Sequence, residues 1–130
     1  LPSFTPVFQK NAHLKLLPAS TTKIVTALVT MDVFKLNKVV SIRRLIIDGQ
    51  TMGLVPQEKI TVRNLLYGAL IHSANDAAYA LANAYGYKDF IRLMNQKAKQ
   101  LKMTDTHFIN PVGFDNPQQY TSVFDLALAA

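Results

Sequence analysis

Hydrophobic positions recur at helical spacing over the middle of the chain. The apolar face of residues 62–71 follows Thr61, whose side chain can accept from the first backbone N–H groups of a helix. A second helix is predicted over residues 76–85 and ends at Gly86, a residue type that commonly terminates helices. A third is predicted over residues 88–102, where apolar side chains return every three or four positions. The pattern therefore predicts three successive helices.

Two more helices are predicted nearer the ends of the chain. One begins near Ser20, because Ser is a good N-cap residue and Pro18 cannot lie inside a helix. The residues that follow are apolar or Thr on nearly every side, which indicates a buried helix. The other covers residues 122–129 and carries Asp125 in its first turn, where a negative charge favours the helix dipole.

Strands take a smaller share of the predicted structure. Residues 39–42 are rich in β-branched side chains, residues 5–9 alternate weakly, and residues 108–110 suggest a short extended segment. The predicted fold class is therefore α+β, mostly α in this chain, and all 130 residues form one unit.

Composition and charge limit the classes of function. The chain has 49% hydrophobic and 17% charged residues, which is typical of a globular domain, and it has no apolar run long enough to span a membrane. The net charge of +6 comes from scattered basic residues without interleaved aromatic residues, so no nucleic acid partner is expected. The same charge fits an anionic polymer or an anionic membrane surface. Because Cys is absent, disulfides and thiolate metal sites are excluded.

Ser20 and Lys23 are the first candidates for chemistry. On a helix, positions i and i+3 share a face, so the Lys amine can reach the Ser hydroxyl. Burial behind an apolar helix and the positive end of the helix dipole both lower the pKa of a lysine, which favours a general base. The backbone N–H groups at the helix start favour a developing anion at the serine.

The alternative for this pair is purely structural. With five Ser and ten Lys in 130 residues, about 0.4 Ser-x-x-Lys matches are expected by chance. On spacing alone, Ser20 is then an N-cap and Lys23 a side chain that extends its amine to solvent.

Ser73 and Asn75 form the second candidate, between two predicted helices. A Ser hydroxyl there can pass on a proton, and an Asn amide can both donate to and accept from a peptide group. The alternative is a capping box, in which Ser73 and Asp76 satisfy the start of the next helix. The three histidines, His13, His72 and His107, show neither metal-ligand spacing nor a catalytic motif, so no metal and no cofactor is expected.

Several segments match one known family in the same order along the chain. They are LPASTTKIVTAL around Ser20, Met52-Gly53-Leu54, Leu65-Leu66-Tyr67-Gly68, Ser73-Ala74-Asn75-Asp76, Asn110-Pro111 with Gly113, and Tyr120-Thr121-Ser122. Together they resemble the low-molecular-mass penicillin-binding proteins, the serine-type D-Ala-D-Ala carboxypeptidases of peptidase family S11. The resemblance implies the fold shared by DD-peptidases, transpeptidases and β-lactamases.

The resemblance also implies a role for each candidate residue. Ser20 would be the acylated nucleophile, Lys23 its general base, Ser73 a proton relay, and Asn75 a ligand for the peptide amide of the substrate. The implied substrates are peptidoglycan stem peptides, with β-lactams as covalent inhibitors. The implied location is outside the cytoplasm of a bacterium, in the periplasm or at the outer face of the membrane.

The family's third motif, Lys-(Thr/Ser)-Gly, does not occur in this sequence. In the family it lies on a strand beyond the segments matched here, binds the substrate carboxylate, and its strand supplies the second oxyanion donor. The resemblance therefore predicts that residues 1–130 are the first, helical half of a catalytic domain, cut before the main strands of the sheet. The partner implied is a C-terminal half, joined to this piece or held as a separate chain.

Three other functions stay open at this stage. A D-Ala-D-Ala endopeptidase would share the same motifs. A class A β-lactamase normally needs a deacylating Glu, and the only Glu here, Glu58, precedes the Ser73 motif. A catalytically inactive cell-wall-binding fragment is the alternative from outside the enzymes.

Overall fold

The computed structural model describes residues 5–43 and 48–130. The elements in chain order are a 3-10 turn (Ala19–Thr21), α1 (Thr22–Val33), β1 (Val39–Ser41), β2 (Lys59–Thr61), α2 (Val62–Ile71), α3 (Asn75–Tyr85), α4 (Tyr87–Gln100) and α5 (Val123–Ala129). The prediction of a mostly helical α+β fold is confirmed.

Helix α1 lies at the centre of the molecule. Its side chains are buried on several faces, including Val25 and Val29, and so are its threonines. The hydroxyl of Thr26 donates to the carbonyl of Pro111 at 2.7 Å, and that of Thr30 donates to the carbonyl of Thr26 at 2.8 Å. Thr26 and Thr30 can therefore be buried, because their hydroxyls have acceptors, whereas the buried hydroxyl of Thr22 has no hydrogen-bond partner among the described residues.

Two hydrophobic clusters fill the space around α1. One joins α2, α3 and the two strands, and the many alanines of α3 let its backbone approach its neighbours closely. The other joins α1 to α4 through Phe90 and Met94, together with Phe108 and the end of α5. The first cluster supports the junction between α2 and α3, and the second supports the loop that follows α4.

The sheet is small. β1 and β2 pair antiparallel, with Val40 opposite Ile60. Two isolated antiparallel bridges lie outside this sheet. One joins Leu16 to Thr121, and the other joins His107 to Tyr120. The first of these bridges fixes the segment that leads into the 3-10 turn.

The helix predictions are confirmed to within one or two residues at each end, the usual scatter of such boundaries. Thr61 caps α2 by accepting from the N–H of Asn64 at 3.3 Å, and Ser122 caps α5 by accepting from the N–H of Asp125 at 3.1 Å. In the part of the chain that the structure describes, no helix is both long and apolar enough to cross a membrane.

The strand predictions are less accurate. The one over residues 39–42 is confirmed as β1, but residues 5–9 form no strand. Pro6 cannot donate to a ladder, and Val7 and Phe8 are exposed, so nothing covers that segment. Residues 108–110 also form no strand, because the side chain of Asn95 binds both backbone groups of Phe108.

Gly113 lies directly against the 3-10 turn. Its φ is +95°, and a Cβ built there would lie 1.6 Å from the carbonyl oxygen of Ala19, which is itself at a positive φ of 46°. Only glycine allows this approach of two backbone segments. The loop after α4 is thereby held against the segment that carries Ser20.

We expect Gly113→Ala to destabilise the fold far more than Gly53→Ala. Gly53 has a similar φ of +81°, but its Cβ would meet nothing within 4 Å. The Gly53 variant should lower the free energy of unfolding by about 1–2 kcal/mol from backbone strain alone. The Gly113 variant should lose on the order of 4 kcal/mol or fail to fold, because a clash is added.

Urea unfolding measures the difference in stability between the two variants. It is carried out on the natural protein that contains this sequence, which is called the parent polypeptide below. Equal unfolding midpoints for the two variants would contradict the close approach of Gly113 to Ala19.

Candidate active site

Ser20 and Lys23 meet at the start of α1. The amine Nζ of Lys23 donates to Oγ of Ser20 at 3.0 Å. Ser20 itself is exposed, whereas Lys23 is only 2% exposed. Because α1 begins at Thr22 and Ser20 lies in the preceding 3-10 turn, the prediction that Ser20 is the N-cap is wrong. The pair combines an accessible hydroxyl with a buried amine.

Ser73 joins this pair from the junction between α2 and α3. Its Oγ lies 3.4 Å from Nζ of Lys23, although the two residues are 50 positions apart. Its φ of 54° is unusual for a residue with a side chain, and the next N–H, that of Ala74, donates to the carbonyl of Gly68 at 2.9 Å. The sharp junction between the helices thus places the Ser73 hydroxyl beside the amine.

A third acceptor for Lys23 comes from the loop after α4. Nζ also donates to the backbone carbonyl of Val112, at 3.3 Å. An ammonium group has three N–H donors, and Ser20, Ser73 and Val112 supply one acceptor each. The buried charge is therefore satisfied by two hydroxyls and one carbonyl.

Burial lowers the pKa of Lys23 from 10.5 to about 8. The cause is desolvation, because the protein interior disfavours the charged form of the amine. Near neutral pH, a substantial minority of the molecules then carry a neutral amine that can accept a proton. This is the environment that a general base requires.

Asn75 lies at the first position of α3 and faces a different loop. Its Nδ2 donates to the carbonyl of Asp48 at 2.7 Å, and its backbone N–H donates to the carbonyl of Gln50 at 2.7 Å. Within the described residues, the structure thus brings Ser20, Lys23 and Ser73 together and ties the Asn75 side chain to the loop that begins at residue 48.

Asp76 does not form the predicted capping box with Ser73. The N-cap position of α3 is Ala74, which has no side-chain cap bond. The buried Asp76 carboxylate instead accepts from the backbone N–H groups of Met52, Gly53 and Leu54, each at 3.0 Å. It therefore anchors the loop beside Asn75, and the structural alternative for Ser73 is wrong.

The sequence gives little sign of two further contributors. Val112 acts through its backbone carbonyl, which every residue type possesses. The anchoring role of Asp76 depends on a loop more than 20 positions away. Only the position of Val112 between Asn110-Pro111 and Gly113, all part of the matched segments, could have drawn attention to it.

The histidines and acidic residues form no metal centre in the described ranges. No group of three His, Cys, Asp or Glu side chains there could hold a metal ion. His72 contacts Gln50 at 3.1 Å, His13 contacts Asp105 at 3.1 Å, and His107 contacts the carbonyl of Gln118 at 2.6 Å. Each is thus engaged outside the Ser20–Lys23–Ser73 cluster.

We expect the stability of the protein to rise with pH because of Lys23. Above pH 8 the folded state has lost this proton, while the unfolded state keeps it up to about pH 10.5, so the unfolded state binds more protons. Between pH 7 and 9.5 the free energy of unfolding should therefore increase by about 2 kcal/mol from this group.

Urea unfolding of the parent polypeptide at several pH values measures this increase. Lys23→Met should lose that part of the increase, whereas Lys99→Met, which replaces an exposed lysine of α4, should retain it. The same pH dependence in Lys23→Met and in the wild type would contradict the burial of the charge.

Comparison with known proteins identifies one family. The family described as D-alanyl-D-alanine carboxypeptidase matches residues 7–130. The D-alanyl-D-alanine carboxypeptidase DacF of Bacillus subtilis is 35% identical over 133 aligned positions, which cover 95% of this chain and 34% of DacF. The chain thus spans about a third of the length of that curated relative.

Solved structures agree with this match. The D-alanyl-D-alanine carboxypeptidase DacD of Francisella tularensis superposes with a TM-score of 0.86 and 36% identity, over 92% of this chain and 31% of that one. A mutant of the Streptomyces K15 DD-transpeptidase superposes with a TM-score of 0.87 and 33% identity, over 95% of this chain and 54% of that one. With the family match over residues 7–130, these similarities show that the chain belongs to the D-alanyl-D-alanine carboxypeptidase family, peptidase family S11.

Proposed function

We propose that this chain carries the nucleophile and the proton-transfer groups of a serine-type D-Ala-D-Ala carboxypeptidase that acts on peptidoglycan stem peptides. One observation carries the proposal. The buried amine of Lys23, whose pKa is lowered to about 8, lies within hydrogen-bonding distance of the hydroxyls of both Ser20 and Ser73. A buried base between two hydroxyls is an arrangement for moving protons to and from an attacking oxygen.

The first half of the reaction forms an ester on Ser20. Neutral Lys23 accepts the hydroxyl proton as Oγ attacks the carbonyl carbon of the peptide bond between the two D-Ala residues. The proton passes through Ser73 to the leaving nitrogen, the C–N bond breaks, and free D-Ala departs. The acyl-enzyme and a neutral Lys23 remain, so protons and charges balance.

The second half returns the serine. Water attacks the ester, a base of the same cluster takes its proton, and the Ser20 oxygen is protonated as it leaves. A β-lactam enters the same first step, because its strained amide is attacked by Ser20 Oγ and the ring opens into a stable ester.

Asn75 is proposed to hold the peptide amide of the substrate. Its side chain uses one N–H for the carbonyl of Asp48, which leaves a second N–H and the amide oxygen for a ligand. The loop anchored by Asp76 would form the wall beside that ligand.

The remaining parts of the proposal concern the whole protein. Residues 1–130 are proposed to be the first half of the catalytic domain, and the substrate carboxylate would bind the Lys-(Thr/Ser)-Gly strand of the other half. Loss of one oxyanion donor typically costs on the order of 10²–10³ in rate, so rapid acylation should need both halves. A location outside the cytoplasm is part of the proposal, because the proposed substrate is peptidoglycan, and a charge of +6 favours an anionic wall.

Acylation of Ser20 is the first test. The parent polypeptide, incubated with a fluorescent penicillin, should gain one label on Ser20, located by mass spectrometry of its peptides. Ser20→Ala should abolish the label, and so should Lys23→Arg, because a guanidinium stays protonated and cannot act as a base. Lys97→Arg is the matched control, because Lys97 lies on α4, away from Ser20. It forms an ion pair at 2.5 Å with Asp32, near the far end of α1.

Two results would contradict the proposal. Wild-type labelling in Lys23→Arg would exclude its role as base. A wild-type parent polypeptide that is never labelled would favour the inactive cell-wall-binding alternative. Release of D-Ala from a pentapeptide, compared with cleavage of a cross-linked dimer, then separates a carboxypeptidase from an endopeptidase.

The role of Ser73 is tested against a serine that only caps a helix. Ser73→Ala should reduce the rate of acylation or deacylation by about 10²–10⁴-fold, because the proton relay is lost. Ser122→Ala removes the cap of α5 and should cost about 0.5–2 kcal/mol of stability while the folded protein acylates normally. Stopped-flow acylation and thermal unfolding are measured on both variants. If Ser73→Ala lowers only the melting temperature, Ser73 has no part in the reaction.

A further inference from the structure

The loop after α4 has a shape fixed by one asparagine side chain. Oδ1 of Asn110 accepts from the backbone N–H groups of Val112 at 3.2 Å, Gly113 at 2.7 Å and Phe114 at 3.1 Å. Its Nδ2 donates to the carbonyl of Phe114 at 3.1 Å. A single amide thus organises the turn around Val112.

A second buried amide holds the first. Gln119 is fully buried, and its Oε1 accepts from the backbone N–H groups of Ile109 at 2.8 Å and Asn110 at 2.9 Å. Its Nε2 donates to Oδ1 of Asn110 at 3.2 Å. Asn110 and Gln119 form an amide pair that fixes both the start and the interior of the loop.

The loop meets α1 through two consecutive carbonyls. Pro111 accepts from the Thr26 hydroxyl at 2.7 Å, and Val112 accepts from Nζ of Lys23 at 3.3 Å. Gly113 follows immediately and packs on Ala19. The position of the Val112 carbonyl is therefore determined from both sides, by the amide pair within the loop and by α1 outside it.

The Val112 carbonyl differs chemically from the two hydroxyls beside Lys23. A neutral amine has two N–H donors and one lone pair. A hydroxyl can donate to that lone pair, but a carbonyl can only accept. An N–H directed at Val112 therefore leaves the lone pair to Ser20 or Ser73, which are the groups whose protons must move.

We propose that Asn110 and Gln119 are positioning residues of the reaction, which hold the Val112 carbonyl so that it turns the lone pair of the Lys23 amine towards the serine hydroxyls. This inference rests on the proposed function of Ser20 and Lys23. It assigns a role in the reaction to two amides that do not touch the reacting atoms.

The test measures acylation by a penicillin in the parent polypeptide. Asn110→Ala should lower the rate constant of the acylation step by about 10–100-fold, because misplaced catalytic groups lose rate steeply. Gln119→Met, which keeps the length of the side chain and removes the amide, should act in the same direction. The dissociation constant of the preceding non-covalent complex should change by less than about twofold, since binding groups are untouched.

A lower acylation rate could also come from a changed ionisation of Lys23 or from a loss of stability, and two controls distinguish these causes from a loss of orientation. At pH 9.5 the amine of Lys23 is mostly neutral, so a rate loss that persists there is a loss of orientation. Asn95→Ala is the matched structural control, because Asn95 also binds loop backbone, at Phe108, without reaching the turn around Val112. It should lower the melting temperature and leave the acylation rate of the folded protein unchanged.

A measurement on the wild-type protein covers the case in which the variants do not fold. The carbonyl ¹³C resonance of Val112 should shift with pH around a midpoint of about 8, as the amine bound to it loses its proton. A resonance that does not move between pH 6.5 and 9.5 would overturn the inference, and so would a folded Asn110→Ala or Gln119→Met variant that acylates at the wild-type rate. Failure of the wild-type protein to be acylated would instead overturn the proposed function.

Discussion

The burial of one amine at the start of α1 is the constraint on which the rest of the structure depends. An isolated ammonium group in an apolar interior is so costly that it is either neutralised or given hydrogen-bond acceptors. Lys23 shows both responses, with a lowered pKa and three acceptors drawn from three separate parts of the chain. An apolar side chain at this position would be the more stable choice. Lys23 is therefore a local misfit of the kind that marks a functional site.

Two residues with a strained backbone lie close to the same amine. Ala19, which precedes Ser20, and Ser73 itself both have positive φ angles, although neither is glycine. Such conformations cost of order 1–3 kcal/mol each and persist only where the surroundings hold them. Near Ala19, the Thr21 hydroxyl donates to the Pro18 carbonyl, and Gly113 packs against Ala19 itself. After Ser73, the N–H of Ala74 donates to the carbonyl of Gly68. Ser73 and the residue before Ser20 thus adopt backbone conformations that local preference disfavours.

The sequence predicts those parts of the site that depend on local geometry. Ser20 and Lys23 are three residues apart, so helical spacing alone brings them together. The pairing of Lys23 with Ser73 spans 50 positions and could be anticipated only through the family resemblance. The contact with Val112 spans 89 positions and involves a backbone carbonyl, which no side-chain pattern marks.

The incorrect predictions also come from reading local signals alone. A Ser followed three residues later by an acid is a good local signal for a capping box. The Asp76 carboxylate, which is only 1% exposed, instead accepts from three backbone N–H groups of a distant loop, because a buried carboxylate needs hydrogen-bond donors. Strand β2 was not predicted, because its three residues run directly into α2 and Thr61 is also the N-cap of that helix. Where local preference and long-range hydrogen bonding compete for the same group, the long-range partner is found only in the folded structure.

The contacts around Lys23 also bear on how the proposed chemistry would be distributed along the protein. Ser20, Lys23 and Ser73 all lie within these 130 residues, and their mutual geometry is set by α1, the α2–α3 junction and the loop held by Asn110. The motif that would bind the substrate carboxylate is absent from the sequence. The lowered pKa of Lys23 arises within these 130 residues, because its cause is burial among them. Under the proposed function, transition-state stabilisation would also draw on the strand that carries the third motif, since an oxyanion needs donors fixed in place before charge develops. Under the proposed function, the cluster around Lys23 is assembled before a substrate arrives, while the step that commits the substrate waits for its carboxylate to be held.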